Sequence, residues 1–179
     1  TGVIVDATIR LLPIETSRVS VDTSRIPDLD TLMAAMTEGD DRVRYSVAWI
    51  DLMARGRHLG RSVLTRGDHA TLDQLDPADR QRPGRYDPRQ VVVVPPVVPG
   101  PGVLNRATVA AFNEFWYRKA PRARRDELQT IASFFHPLDL VGSWNRLYGR
   151  RGMVQYQFVV PFRAEDTVRT VVERLSDSG

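Results

Sequence analysis

Strand, helix, strand, strand is the order read over residues 17 to 66, and it predicts an α+β domain with an antiparallel sheet flanked by helices. Three observations carry this. Apolar residues alternate in "SRVSVDTS", with Val19 and Val21 on one face, and again in "RVRYSVAWIDLM", with Val43, Tyr45, Val47 and Trp49 on one face. Between these runs, "IPDLDTLMAAMTEGDD" switches to helical spacing, with Leu32, Met33 and Met36 on one side. A further strand, "GRSVLTRGDH", follows closely and is expected to leave through a Gly-Asp turn.

The elements follow in order. "VIVDATIRLLPI" reads as a strand stopped by Pro13, and "SRVSVDTS" as the next. The first helix takes Asp28 or Asp30 as its cap and Gly39 as its end. Residues 68 to 105 are rich in proline, glycine and charge, and are expected to form long loops around a short "VVVV" piece. "NRATVAAFNEFWYRKA" predicts a helix capped by Asn105, with Val109, Phe112 and Phe115 or Trp116 as its buried stripe. "PRARRDE" reads as a basic loop, and "ELQTIASFFHPLD" as a strand in preference to a helix. "MVQYQFVVP" predicts a strand, and "RAEDTVRTVVERLSDSG" a closing helix with acidic residues in its first turn.

Composition narrows the function classes. The 179 residues are 42% hydrophobic and 26% charged, an ordinary globular balance with enough length to bury a core. There is no cysteine, which excludes disulfides, thiolate metal sites and a cysteine nucleophile. Net charge is +3, and Lys119 is the single lysine among the basic residues. An arginine excess fits compositional bias better than a dedicated anion site. No run reaches the roughly 18 apolar residues that span a bilayer; "VVVVPPVVPGPGVL" comes nearest and is broken by prolines. The chain opens on a ready-made strand without a starting methionine, so it is expected to be a fragment of a longer protein.

Few residues carry chemistry on their own. His136, in "FHPLD", is held extended by the following proline and suits a hydrogen bond to a substrate hydroxyl or acid/base work; a structural histidine is the plainer reading. His58 and His69 lie in polar loop-like contexts, and no histidine pair has ligand spacing. In "QYQF", Gln155 and Gln157 share one strand face while Tyr156 and Phe158 share the other. The amides suit sugar hydroxyls or a cofactor's polar edge, and equally an exposed outer face. The stripe of Tyr45, Val47 and Trp49 fits core better than pocket wall. "WYRKAPRARR" fits a solvated basic loop better than a site for nucleic acid or anionic lipid. No P-loop, GxGxxG turn or GxSxG elbow occurs.

The stretch "FFHPLDLVGSWNRLYGRRGMVQYQFVVP" resembles the substrate-domain segment of the decaprenylphosphoryl-β-D-ribose 2-oxidase family, FAD-dependent enzymes of the vanillyl-alcohol-oxidase class. "TGVIVDATIRLLPIET", "YSVAWIDLMARGRHLGRSVLTRGDHATLDQL" and "FNEFWYRKAP" resemble other parts of the family in the same order. The resemblance implies that residues 1–14 are the last strand of an FAD-binding domain. Residues 15–179 would be a substrate-binding cap domain, incomplete at its C-terminal end. It also implies oxidation of a ribose 2-hydroxyl on a polyprenyl phosphate, with hydride transfer to FAD.

By that resemblance, Gln155 and Gln157 face the flavin and the sugar, and Tyr156 and Phe158 pack against cap helices. Phe135, His136 and Leu138 line the adjacent wall, Trp49 borders the pocket, and no catalytic base lies within this chain. FAD would be bound mainly by parts of the parent absent here. Implied partners are a lipid-linked sugar phosphate, the FAD-binding domain of the parent polypeptide and an epimerising reductase, with no nucleic acid. The implied location is the cytoplasmic or periplasmic face of the cell membrane, and the fragment alone is expected to be inactive and open to self-association. Two departures stand out: Phe135 where best-known members carry tyrosine, and Val47 where they carry serine. Both make the pocket less polar and keep open another sugar, polyol or sugar lactone as substrate. A stand-alone basic module for anionic lipid or nucleic acid is the alternative from another class.

Overall fold

β-Branched side chains at alternate positions, Val19, Val21 and Thr23, favour a strand, and Arg18–Ile26 forms β1. In the computed structural model, which describes residues 2–95, 104–161 and 163–178, β1 is an inner strand of a four-stranded antiparallel sheet. Helix α1, Leu29–Gly39, follows it; the Asp28 side chain accepts the Thr31 N–H at 2.8 Å, and Gly39 is the last helical residue. β2, Tyr45–Ile50, and β3, Ser62–His69, complete the unit read from the sequence. A short helix α2, Pro77–Arg80, and a two-residue strand β4, Val92–Val93, lie in the long connection. α3 spans Arg106–Lys119, β5 Ala123–Thr130, α4 Ile131–Phe135, β6 Val141–Gly142 and α5 Glu165–Ser178. The main sheet runs β2-β3-β1-β5, and β4 pairs in parallel with β6. The α+β class with an antiparallel sheet is therefore as expected.

Strand register assigns the two faces, because directly opposed residues of an antiparallel pair point to the same side. Leu64 lies opposite Ala48, and Ser62 lies opposite both Ile50 and Ile26. This first face meets α1 and α5: Ile26, Leu29, Leu32, Leu64 and Val172 form one buried cluster, with Met33 and Met36 packed against it. An ion pair from Arg169 to Asp30 joins the two helices. The second face carries Val19, Val21, Tyr45, Val47, Trp49, Thr65 and His69.

Helix α3 is held to the end of the sheet by polar groups. Asp51, only 1% exposed, accepts from Asn113 Nδ2 at 2.7 Å, from the Met53 N–H at 2.9 Å and from Arg61 Nε at 2.9 Å. Arg61 also pairs with Glu114 at 2.6 Å and lies 4.7 Å from the centre of the Tyr117 ring. The Tyr117 hydroxyl donates to the Ile26 carbonyl at 3.2 Å. Asn105 caps the helix as expected, its side chain accepting from the Ala107 and Thr108 N–H groups.

Several expectations are corrected. The stripe proposed for α3 is not buried: Phe112 and Phe115 face out, because Asn113, Glu114 and Tyr117 take the inner side. Gly67-Asp68 is no turn but lies inside β3, where Gly67 opposes both Val21 and Tyr45. A Cβ there would stand 2.8 Å from Val19 Cγ1 and 3.0 Å from the Ser20 carbonyl oxygen, so the close strand approach needs glycine. "PRARRDE" is largely strand: Ala123 onward is edge strand β5, its charges set outward as edges favour. "ELQTIASFFHPLD" divides at Thr130, whose side chain accepts the Ser133 N–H at 3.0 Å and starts α4. "MVQYQFVVP" pairs with no strand among the described residues, and residues 2–14 form no strand either. Their side chains alternate, but a strand also needs a neighbour for its backbone groups. Most of "VVPPVVPGPGVL" lies outside the described residues. No helix among the described residues is long and apolar enough to cross a membrane.

Two predictions follow from the α3 clamp. Asp51→Ala leaves Arg61 without its buried partner and should cost ~3–5 kcal/mol in urea unfolding; an unchanged midpoint would remove the clamp from the stability of the fold. Glu114 is held below its ordinary 4.5, first by the Arg61 hydrogen bond, against a desolvation penalty, and then by the charges of Arg61 and Arg118. A depressed carboxyl stabilises the fold above its unfolded pKa and loses that contribution as pH falls through the folded value. The urea midpoint should therefore drop as pH is lowered below about 4.5, and drop less in Glu114→Gln; equal pH slopes in the two proteins would contradict this.

Candidate functional site

Aromatic side chains gather on the second face of the sheet. Val19 and Val21, both fully buried, pack with Phe134, Tyr45 and Ile131. α4 brings Phe134 and Phe135 there in succession: their rings meet edge-on at 4.8 Å, and Phe135 meets Tyr45 edge-on at 4.8 Å. The Tyr45 hydroxyl lies 3.2 Å from His69 Nε2, and their rings stand at 88°. His69 Nδ1 is buried without a hydrogen-bond partner among the described residues. Further along β2 the face opens: Val47 is 50% exposed and Trp49 half-buried, with the Thr65 hydroxyl donating to the Val47 carbonyl at 3.2 Å. Aromatic edges and few polar groups make a surface for the apolar face of a sugar or ring, with hydrogen bonding left to its rim.

The residues singled out from sequence fall into two groups. Trp49 lies on this face two strand steps from Tyr45, and Phe135 belongs to its aromatic cluster. His136 follows Phe135 as the residue that ends α4, exposed, its ring 6.4 Å from the Phe135 ring. Leu138 is exposed in the 3-10 turn Pro137–Leu140. Gln155 and Gln157 stand apart, exposed in the unpaired 153–161 segment, and no described residue hydrogen-bonds their side chains. Tyr156 and Phe158 share a side as alternation requires, since their rings stack at 6.2 Å. They do not pack against helices, however: Tyr156 is 84% exposed.

Sequence reasoning passed over His69 and Tyr45 as a pair. The signal was the antiparallel register, which places residue 69 at the end of β3 one step beyond the Gly67–Tyr45 pair. His69 also borders a cleft of about 260 Å³ whose other wall includes Leu12 to Glu15. On the far side of α4, a cavity of about 390 Å³ is lined by Ile131, Ala132 and Leu140, with Arg18, Arg85 and Arg89 around it. These cations are partly neutralised, Arg18 by Asp79 at 2.7 Å, and Arg85 and Arg89 by the shared Asp87. In the basic stretch, Arg118, Arg124 and Arg125 pair with Glu114, Glu127 and Asp22. Among the described residues no group of three or more His, Asp or Glu is placed to hold a metal ion.

Comparison with known proteins supplies what the geometry leaves open. No protein-family model matches the chain. Among curated proteins it is 33% identical over 188 residues to an uncharacterized protein in the mprA 5′ region of Streptomyces coelicolor, covering the whole chain and 50% of that protein. It is 37% identical over 180 residues to decaprenylphosphoryl-beta-D-ribose oxidase of Mycolicibacterium smegmatis, covering the whole chain and 39% of the oxidase. The chain thus spans half or less of the length of these relatives. The resemblance first carried by the stretch from Phe134 to Pro161 extends from end to end: this chain is a relative of one part of decaprenylphosphoryl-β-D-ribose oxidase.

Proposed function

We propose that the chain is the substrate-binding part of a flavin-dependent oxidoreductase that oxidises a sugar hydroxyl to a ketone, with the 2-hydroxyl of a polyprenylphosphoryl ribose as the preferred target. The observation that carries the reading is the similarity of the whole chain to part, 39%, of an oxidase named for that substrate class. The geometry supports it with an open sheet face, bordered by Trp49 and Phe135, on which a sugar ring can lie. His136 and Leu138, both exposed next to Phe135, would extend that wall.

The residues present fit one part of FAD. Gln155 and Gln157 are exposed amides, each with a donor and an acceptor, suited to the polar edge of the flavin ring and to sugar hydroxyls. No glycine-rich turn opening a helix, of the kind that binds a diphosphate, occurs in the sequence, so the dinucleotide would be held by another part of the parent protein. When bound, the flavin supplies the hydride acceptor. This chain's share is positioning: the aromatic face fixes the ring plane, the amides orient hydroxyls, and the low polarity of Val47 and Phe135 excludes water. The hydroxyl proton would go to a base outside this chain. On this reading the partners are the FAD-binding domain of the same polypeptide, the lipid-linked sugar phosphate and a reductase that completes epimerisation. The site of action is a face of the cell membrane.

The test uses the full-length protein. It should be yellow when purified, and its flavin absorbance should bleach anaerobically on addition of a polyprenylphosphoryl ribose, but not of the 2-deoxy analogue. Gln155→Ala and Gln157→Ala should each lower kcat/KM by about fivefold to tenfold, the worth of one hydrogen bond. A colourless protein would overturn the flavin reading; bleaching by an unphosphorylated polyol alone would move the substrate elsewhere.

A further inference from the structure

We infer that the outward face of α3 is a docking surface for an anionic lipid bilayer. Positions 112, 115, 116 and 119 recur at three- and four-residue steps and share one side of the helix. That side is apolar and uncovered: Phe112 is 54%, Phe115 61% and Trp116 38% exposed. Phe112 and Trp116 stack at 5.9 Å, and Lys119 Nζ lies 6.0 Å and 5.7 Å from the centres of the Phe115 and Trp116 rings. The opposite side is fixed by Asn113, Glu114 and Tyr117 through Asp51, Arg61 and Ile26, so the helix cannot turn its aromatics inward without breaking the clamp.

Charge selects the occupant. Lys119, at the end of the helix, and Arg122, just beyond it, have no carboxylate partner among the described residues, and Glu114 is the one acidic residue between positions 105 and 125. A protein partner laid over Phe115 and Trp116 would also cover the Lys119 ammonium and would have to bring a carboxylate to it; lysine is depleted in such interfaces. At a membrane surface the same arrangement is satisfied by lipid alone. Rings enter the boundary between headgroup and acyl chain, the lysine stem follows them, and its ammonium reaches back to lipid phosphates. Zwitterionic bilayers would satisfy the rings and offer phosphates, but without the net negative surface potential that draws the cations to the surface.

The test is co-sedimentation with sucrose-loaded vesicles, and it has no flavin readout, so its outcome is independent of the oxidase reading. The chain and the full-length protein should both bind phosphatidylglycerol/phosphatidylcholine vesicles, bind phosphatidylcholine vesicles weakly, and lose affinity at high salt. Phe115→Ala and Trp116→Ala should each weaken binding by about tenfold, and Lys119→Glu by about fivefold or more. These side chains lie on the face away from the clamp, so circular dichroism and the urea midpoint should be unchanged. Equal binding by the variants would overturn the inference, as would equal affinity for neutral vesicles. Binding by the chain but not by the full-length protein would show that another part of the polypeptide covers the face. A concentration-dependent dimer abolished by Phe115→Ala, without vesicle binding, would assign the face to a second copy instead.

Discussion

Asp51 is the constraint on which the orientation of half the molecule depends. A carboxylate taken almost completely out of water must be met by donors, and here the Asn113 amide, the Met53 N–H and the Arg61 guanidinium meet it. Two of these donors belong to the connection between β2 and β3, and one belongs to α3. The helix is therefore positioned by what satisfies one charge, and its rotation is fixed with it. Arg61 extends the arrangement to Glu114 and Tyr117, so a single guanidinium serves two carboxylates and an aromatic face. A buried ion pair of this kind contributes little net stability against an apolar replacement, but it discriminates strongly between helix rotations, because any other leaves a charge unpaired.

The sheet divides the remaining work between its faces. The first face is closed by α1 and α5 through an aliphatic cluster, beside which Arg66 donates to the Ala35 carbonyl of α1 and pairs with Asp40. The second is closed only in part, by Phe134 from a five-residue helix that Thr130 starts and His136 ends. Gly67 makes this possible: lacking a side chain between Val21 and Tyr45, it lets Val19 and Phe134 approach the strand closely. The result is a packed aromatic corner beside an open stretch at Val47 and Trp49, with the exposed His136 at its rim. A rigid backing next to an open surface is what a positioning site needs, since the backing fixes rotamers that the open side presents.

The sequence disclosed those features that are decided locally. The alternation of Val19 and Val21, the Asp28 and Asn105 caps, and the helical spacing of Leu32, Met33 and Met36 each depend on neighbours a few residues away, and each is present. Features decided at a distance were not legible. The charged run from Ala123 to Glu127 becomes strand because β1 offers it an edge, with Asp22 placed to receive Arg125 and the Asp126 N–H. The pairing of Tyr45 with His69 needs the β2–β3 register, which no short window contains. Among the proposed site residues, Trp49 and Phe135 fall on one surface because strand and helix both deliver side chains to the second face; Gln155 and Gln157 lie on a segment that pairs with no strand among the described residues.

Two aromatic pairs show where periodicity stops being informative. Phe112 and Trp116 stack on α3, and Tyr156 and Phe158 stack on the 153–161 segment. In both cases the spacing correctly identified residues that share a side, four apart on a helix and two apart on an extended chain. In both cases the side faces outward. Periodicity fixes the relative direction of side chains; whether that direction meets protein depends on what the rest of the chain places there. For α3 the competing face wins because Asn113 and Glu114 answer charges at Asp51 and Arg61, which apolar rings cannot do. For 153–161 the backbone pairs with no strand among the described residues, and the two rings stack on each other while Gln155 and Gln157 stay exposed. An outward aromatic stripe is thus a physical consequence of polar anchoring in one place and, among the described residues, of unpaired backbone in the other.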